Sequence, residues 1–335
     1  MSRTDFLGLM ALAIAAAFAV TWPYRDNWVR SAANQTMVRP LAQAKTWRYQ
    51  LDHINIAELA ADPSDLLVID YAKAEGKQPL TAGDVARIKV RRDGRPRLVV
   101  AYLSVGESEE FRYYWNAAWA QSPPDWLGEE NCAWPKAHRV RYWTDGWKTI
   151  NYRAQDSYLH RIISAGFDGV YLDRVDIFET FEKERPSARQ EMIAHVAELA
   201  AAARRIKPGF LIIPQNAETL LDNANYRMVI DGLGKESLLH GEKDTGKRNS
   251  AAGIRWSMGL LRHLLDDGKP VFAVEYLLNA AQIDDTAIEL HRRGIVPAFE
   301  TRALDGKDPT LPVDLKVEVG SPERTTKQCP PGTSW

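Results

Sequence analysis

Short apolar runs alternate with longer stretches of helical periodicity along most of the chain. The runs that read as strands are Trp47 to Leu51, Leu66 to Asp70, Leu98 to Val105, Arg139 to Trp143, Gly169 to Asp173, Phe210 to Pro214, Met228 to Leu233, Val271 to Tyr276 and Ile295 to Phe299. Between them, Ser187 to Ile206 places Met192, Ile193, Val196, Leu199, Ala203 and Ile206 on one helical face, opens with a Ser187-x-x-Gln190 capping-box pattern and stops at Pro208-Gly209. The helical stretches Tyr158 to Ala165, Ala252 to Asp267 and Thr286 to Arg293 each run into a glycine, Gly166, Gly268 and Gly294. A glycine there suits a left-handed cap that turns the chain into the next strand.

Repeats of this kind predict βα units with right-handed crossovers and a parallel sheet. Near-eightfold repetition in one chain predicts an α/β fold, a single (β/α)8 TIM barrel over residues 47–310. Nine runs compete for eight places, so either the first or the last stands outside the barrel, or a loop reads as a strand. No Gly-x-Gly-x-x-Gly follows an early strand. Gly232-x-Gly234-Lys235-Glu236 is too short for a phosphate loop and has Glu236 where a hydroxyl residue belongs, so no nucleotide cofactor is expected.

The flanks differ from this core. Arg3 precedes an apolar run from Phe6 to Val20, with Ala17-Phe18-Ala19 as a small-x-small cleavage site. The run is short for a bilayer span of about 20 residues, so residues 1–20 read as a signal peptide or N-terminal anchor of a secreted or periplasmic protein. A polar connector over 21–46 and a Pro-rich tail over 311–335 complete the division. The chain has 335 residues, enough for one full-sized core, and its 43 Lys plus Arg nearly balance 44 Asp plus Glu, which argues against a nucleic-acid partner. Seven His without ligand spacing and two Cys outside any CxxC motif give no metal site. In an exported chain, Cys132 and Cys329 are expected to pair as a disulfide that pins the tail.

Barrel chemistry sits where strand C-termini converge. The most informative stretch is Gly166 to Asp176: a tight turn, the strand Val170-Tyr171-Leu172, then Asp173 at its tip and Asp176 just beyond. Other tips end in Asp70-Tyr71, Tyr102 with Glu107, Gln215-Asn216, Lys235-Glu236 and Glu275-Tyr276. A strand-end acid usually caps a helix, and Asp168 reads as such a turn residue, but Asp173 and Glu236 stand out. Two carboxylates across one mouth are what glycosidic cleavage requires, one attacking or acting as base and the other donating a proton. The stretch from Tyr113 to Trp147 holds Trp115, Trp119, Trp126, Trp134, Trp143 and Trp147, faces that suit either sugar stacking or core packing.

Several of these segments resemble the endo-alpha-1,4-polygalactosaminidases, glycoside hydrolase family 114, and related barrel domains of bacterial exopolysaccharide machinery. The resemblance rests on Val68-Ile69-Asp70-Tyr71, Ala101 to Glu109, Arg141-Tyr142-Trp143, Gly166 to Asp176, Ile212 to Asn216 and Asp231 to Ser237. It implies endo-cleavage of alpha-1,4-linked galactosamine polysaccharide by a retaining barrel enzyme without cofactor, with Asp173 in the nucleophile's place and Glu236 in that of the acid/base. Asp70, Tyr71, Tyr102, Glu107, Asp176, Asn216 and Tyr276 would then line the sugar site. One departure is Glu275-Tyr276, where the family has Asp-Tyr. The competing expectation is an inactive barrel that binds polysaccharide for export or adhesion; a metal-dependent hydrolase using the same carboxylates has little support without His spacing.

Overall fold

A computed structural model describes residues 40–310 apart from 74–75 and 243–245; the predicted signal segment, the tail and Cys329, and with it the expected pairing to Cys132, lie outside the described residues. The barrel strands are β1 (Trp47–Gln50), β2 (Leu66–Ile69), β3 (Leu98–Ser104), β4 (Gly169–Asp173), β5 (Leu211–Pro214), β6 (Leu233–Glu236), β7 (Val271–Glu275) and β8 (Ile295–Phe299). The longer helices between them are α1 (Ile56–Ala61), α2 (Ala82–Ile88), α3 (Tyr158–Ser164), α4 (Ala188–Ile206), α5 (Ala224–Val229), α6 (Ala251–Asp266) and α7 (Ala280–Arg292).

Parallel ladders join β1 through β5 in chain order, and likewise β6 through β8. A bridge between Gln215 and Gly234, with Asn216 N–H donating to Gly234 O at 2.8 Å, links β5 to β6. At the other seam Trp47 Nε1 donates to Val296 O at 3.1 Å, and the N–H groups of Leu51 and Asp52 donate to Leu304 O. The first and last predicted strands therefore both belong to the barrel. The surplus run is Arg139 to Trp143: the strand there, Ala137–Val140, is the centre of a small antiparallel sheet with Glu107–Glu109 and Leu127–Glu130, inserted between β3 and α3. A short half-buried strand has the same two-residue period whichever sheet it joins, so the pattern does not separate the two cases.

The other correction is β6. Met228 and Val229 finish α5, and the strand is the polar Leu-Gly-Lys-Glu that follows. The reason lies inside the barrel, where alternate residues of the strands point inward: Trp47 and Tyr49, Leu66 and Val68, Val100 and Tyr102, Leu211 and Ile213, Phe272 and Val274 share one buried cluster. Tyr171 crosses this interior so far that its ring and hydroxyl occupy the space where a Cβ of residue 234 would stand. Only glycine fits opposite it, and β6 loses the apolar signature of its neighbours.

Helix ends follow the glycine expectations, with Gly166, Gly268 and Gly294 at φ 93°, 72° and 78°. Ser187 makes no side-chain capping bond, contrary to the capping-box pattern, and α7 begins earlier than its periodicity suggests because Asn279 accepts from Gln282 N–H at 3.1 Å. The end of the connector is not simply polar spacer: residues 40–43 are helical, and Leu41 and Ala44 join the barrel core. Leu41 packs near Gly232, just before β6, at the N-terminal end of the barrel. That end is also braced by Asp168, which meets Lys89 at 2.6 Å and accepts from Val99 N–H at 3.1 Å.

The fit of Tyr171 against Gly234 predicts a contrast between two Gly→Ala changes. Gly234→Ala should lower the free energy of unfolding by about 1–3 kcal/mol through overpacking. Gly259→Ala on α6, where nothing lies within 4 Å, should be neutral or stabilise by up to about 1 kcal/mol. Denaturant melts of the two variants showing equal effects would contradict this packing.

Candidate active site

Asp173 is the last residue of β4, two positions beyond the inward-pointing Tyr171, so both side chains face the barrel axis. The chain leaves the strand through Arg174 at φ 59°; Asn216 and Ala217 after β5 and Ser237 after β6 have φ of 54°, 52° and 50°. Four of the seven non-glycine residues with positive φ among those described thus follow three neighbouring strand tips. Backbone strain of this kind concentrates where side chains are held for a task.

Tyr102 Oη donates to Asp173 Oδ2 at 2.7 Å and Arg174 N–H donates to Oδ1 at 2.8 Å. The protein packed around the carboxyl withdraws it from water, and the charge of Glu236 adds to that effect; the two together push Asp173 up to about 7, against the pull of the Arg174 guanidinium and of the Tyr102 hydrogen bond. Asp173 and Glu236 end the parallel strands β4 and β6, so both carboxyls stand at the same mouth of the barrel. Arg174 itself is mostly committed elsewhere, 3.0 Å from Glu107 and 3.9 Å from Asp176.

Glu236 ends β6 and is held by three side-chain donors. Gln215 Nε2 donates at 2.5 Å and Asn216 Nδ2 at 3.2 Å to Oε2, while Tyr276 Oη donates to Oε1. Tyr49 Oη donates to Gln215 Oε1 at 3.0 Å, which fixes the amide with its NH2 toward Glu236. Asn216 closes the arrangement by accepting from Glu236 N–H at 3.1 Å. Tyr49, Tyr102, Tyr171 and Tyr276 together form a phenolic floor beneath the pair, and burial raises all four well above the ordinary tyrosine range, so they remain neutral donors. Tyr171 Oη, fully buried, has no hydrogen-bond partner among the described residues.

The remaining predicted residues divide. Tyr102, Asn216 and Tyr276 contact the carboxylates directly. Asp176 is half-buried beside Arg174. Asp70 and Glu107 are buried and engaged: Asp70 takes two bonds from Arg112 at 2.9 and 2.8 Å, and Glu107 accepts from Asn131 at 2.8 Å as well as pairing with Arg174. Tyr71 is also buried, its ring edge-on to Tyr158 at 5.2 Å. These three lie behind the residues that contact the carboxylates, each engaged with its own partners. Glu275, the departure from the family pattern, turns away from the mouth and accepts from the N–H groups of Leu239 and His240 at 2.8 and 3.0 Å, anchoring the segment that follows Glu236; burial pushes it up to about 7.

Part of the tryptophan-rich stretch forms a core of its own, while Trp134 is exposed. Trp126 and Trp147 are buried, Trp147 donates to Val105 O at 2.8 Å, and Trp115, Trp119 and Trp126 meet edge to face at 5.3 and 5.0 Å. The sequence reading missed Tyr49, Tyr171, Arg112 and Arg174. A signal existed for Tyr171, because a tyrosine two residues before a tip acid must share its inward face; none marked Arg112, whose partners lie on separate elements.

Known proteins place the fold in context. The model of glycoside-hydrolase family GH114 matches residues 28–312. An uncharacterized protein of Thermotoga maritima is 34% identical over 264 residues, spanning 75% of this chain and 79% of its own length. Protein MJ1477 of Methanocaldococcus jannaschii, also uncharacterized, is 33% identical over 297 residues, or 83% of each chain. Among solved structures, the glycoside hydrolase domain of PelA from Pseudomonas aeruginosa superposes with a TM-score of 0.59 at 23% identity, covering 78% of this chain and 96% of that domain, a likeness of fold. The protein is a (β/α)8 glycosidase and belongs to glycoside hydrolase family GH114.

Proposed function

We propose that this glycosidase cleaves within chains of alpha-1,4-linked galactosamine, with Asp173 as nucleophile and Glu236 as acid/base. The observation that carries the reading is the convergence of these two carboxylates, on the tips of β4 and β6, over one floor of neutral phenols. Asp173 attacks the anomeric carbon as its bond to the bridging oxygen breaks and the Glu236 proton passes to that oxygen. Glu236 then takes a proton from water, which attacks the same carbon and releases Asp173, so configuration is retained. The apolar segment ahead of the barrel makes secretion or periplasmic export part of the same proposal.

The substrate class follows from charge as well as from family. Asp70 and Glu109 share Arg112, and Glu107 pairs with Arg174, but Asp173, Asp176, Glu179 and Glu236 outnumber Arg302, which lies 4.7 Å over the Tyr276 ring, so the mouth keeps more acid than base. Such a mouth attracts the ammonium groups of free galactosamine units.

One observation favours a second assignment of roles on the same pair. Three donors converge on Glu236, which suits an acceptor, whereas Asp173 keeps its proton up to about 7. In the exchanged reading Glu236 attacks and Asp173 donates.

Three outcomes are expected. Asp173→Asn and Glu236→Gln should each abolish reducing-end release from partially deacetylated polygalactosamine while remaining folded; full activity in either refutes the pair, and wild-type binding without release identifies the inactive-barrel alternative. Trapping the glycosyl-enzyme and mapping the modified peptide should find Asp173, and finding Glu236 would establish the exchanged roles. Raising salt from about 20 to 300 mM, which shortens the screening length to roughly a quarter, should lower kcat/KM on this polymer; an unchanged value removes the charge argument.

A stability consequence completes the set. An acid whose folded value is raised stabilises the fold fully below its ordinary value, near 3.8 for aspartate, and loses that contribution as pH rises through about 7. Asp173→Asn removes the cost of an ionised buried carboxylate, so it should gain roughly 1–3 kcal/mol over wild type at pH 8 and nothing near pH 4. Thermal melts at the two pH values check this, and an equal difference at both would contradict it.

A further inference from the structure

A buried ion cluster behind the site has no role in the chemistry above. Arg112, in the segment that leaves the inserted sheet, is 4% exposed. Its guanidinium forks onto Asp70 at the tip of β2, at 2.9 and 2.8 Å, while its Nε donates to Glu109 at 2.6 Å. Asp70 is further fixed by Ala72 N–H at 2.8 Å. One cation between two buried carboxylates is expensive to desolvate and survives only with its geometry complete. A pair of apolar residues would bridge β2 and the insertion with less cost, so the charges call for another explanation than adhesion.

The flat face of Arg112 supplies one. Its guanidinium carbon lies 5.7 Å from the centre of the Tyr102 ring, 5.4 Å from that of Tyr158 and 4.8 Å from that of Phe111. A cation over a phenol ring at this range is attractive and makes the hydroxyl a better donor. Tyr102 is the residue whose hydroxyl reaches Asp173. We propose that Arg112, clamped by Asp70 and Glu109, is a positioning residue that holds the Tyr102 phenol and thereby orients Asp173 for reaction. The inference rests on the reading of Asp173 and Glu236 as the working pair and holds for either order of their roles.

Lysine keeps the charge of Arg112 but has neither the fork nor the flat face. Arg112→Lys should therefore lower kcat on partially deacetylated polygalactosamine by about 10- to 100-fold, the scale of a small misplacement, with KM changed less than about twofold. Around Asp173 stand Tyr102, Glu236, Arg174, Asp176 and, below, Tyr49 and Tyr171. Loosening the Tyr102 bond removes a pull toward ionisation, so the limb of the kcat/KM profile that reports Asp173 should move to higher pH. In a Tyr102→Phe background the Arg112→Lys change should add nothing further, because both act through one hydroxyl. Multiplying effects, or a wild-type kcat and pH profile accompanied only by a lower Tm, would overturn the proposal. Should Arg112→Lys fold poorly, the charge-free triple variant Asp70→Asn, Arg112→Met, Glu109→Gln tests the same point: the proposal requires the kcat loss and the shifted limb there too, and a wild-type profile overturns it. Failure of Asp173→Asn and Glu236→Gln to abolish activity would fall on the functional reading itself; loss in those two with an ordinary profile in Arg112→Lys would fall on this inference alone.

Discussion

The mutual repulsion of two carboxylates withdrawn from water is the constraint around which this barrel mouth is built. Burial and the charge of Glu236 together raise the cost of ionising Asp173, and separate groups surround the two acids. Asp173 receives one phenol and one backbone N–H beside an arginine that is largely spent on Glu107. Glu236 receives an amide from each of two successive residues of the β5 tip and a phenol from the residue after β7. Asp173 therefore holds its proton more tightly than an ordinary aspartate does.

The floor beneath follows from the same need. A barrel interior is normally filled by branched aliphatic side chains, and here Val68, Val100, Leu211 and Ile213 share it with Trp47 and Phe272. Nearer the mouth the inward positions turn to Tyr49, Tyr102, Tyr171 and Tyr276, which pack as apolar bodies below and offer hydroxyls above. Their rings pack against one another, Tyr49 and Tyr171 inclined at 46° with centres 5.1 Å apart. Glycine at 234 is the space this arrangement requires, and a polar β6 is its visible result.

What the sequence made legible follows from the same physics. β4 was plain because its strand is apolar on both faces and ends abruptly in Asp173, and the glycine caps were plain because each stands between helical periodicity and an apolar run. β6 was displaced because its inward residues are Gly234 and Glu236, neither of which carries a strand signal. The strand at Ala137–Val140 was misassigned because period alone does not report direction. Among site residues, those touching the carboxylates from strand tips were legible, whereas the cationic partners of Asp70 and Glu107, Arg112 and Arg174, were not, because they reach them from a separate element or from an unremarkable position just after the tip.

Direct titration of the Asp173 carboxyl tests the central coupling. Carbon-13 NMR or difference infrared on the labelled side chain should find it titrating near 7 in the wild type, and moving down toward the ordinary carboxylate range when Glu236 becomes glutamine. A wild-type Asp173 that titrates in the ordinary range, or one whose titration is indifferent to Glu236, would contradict the account.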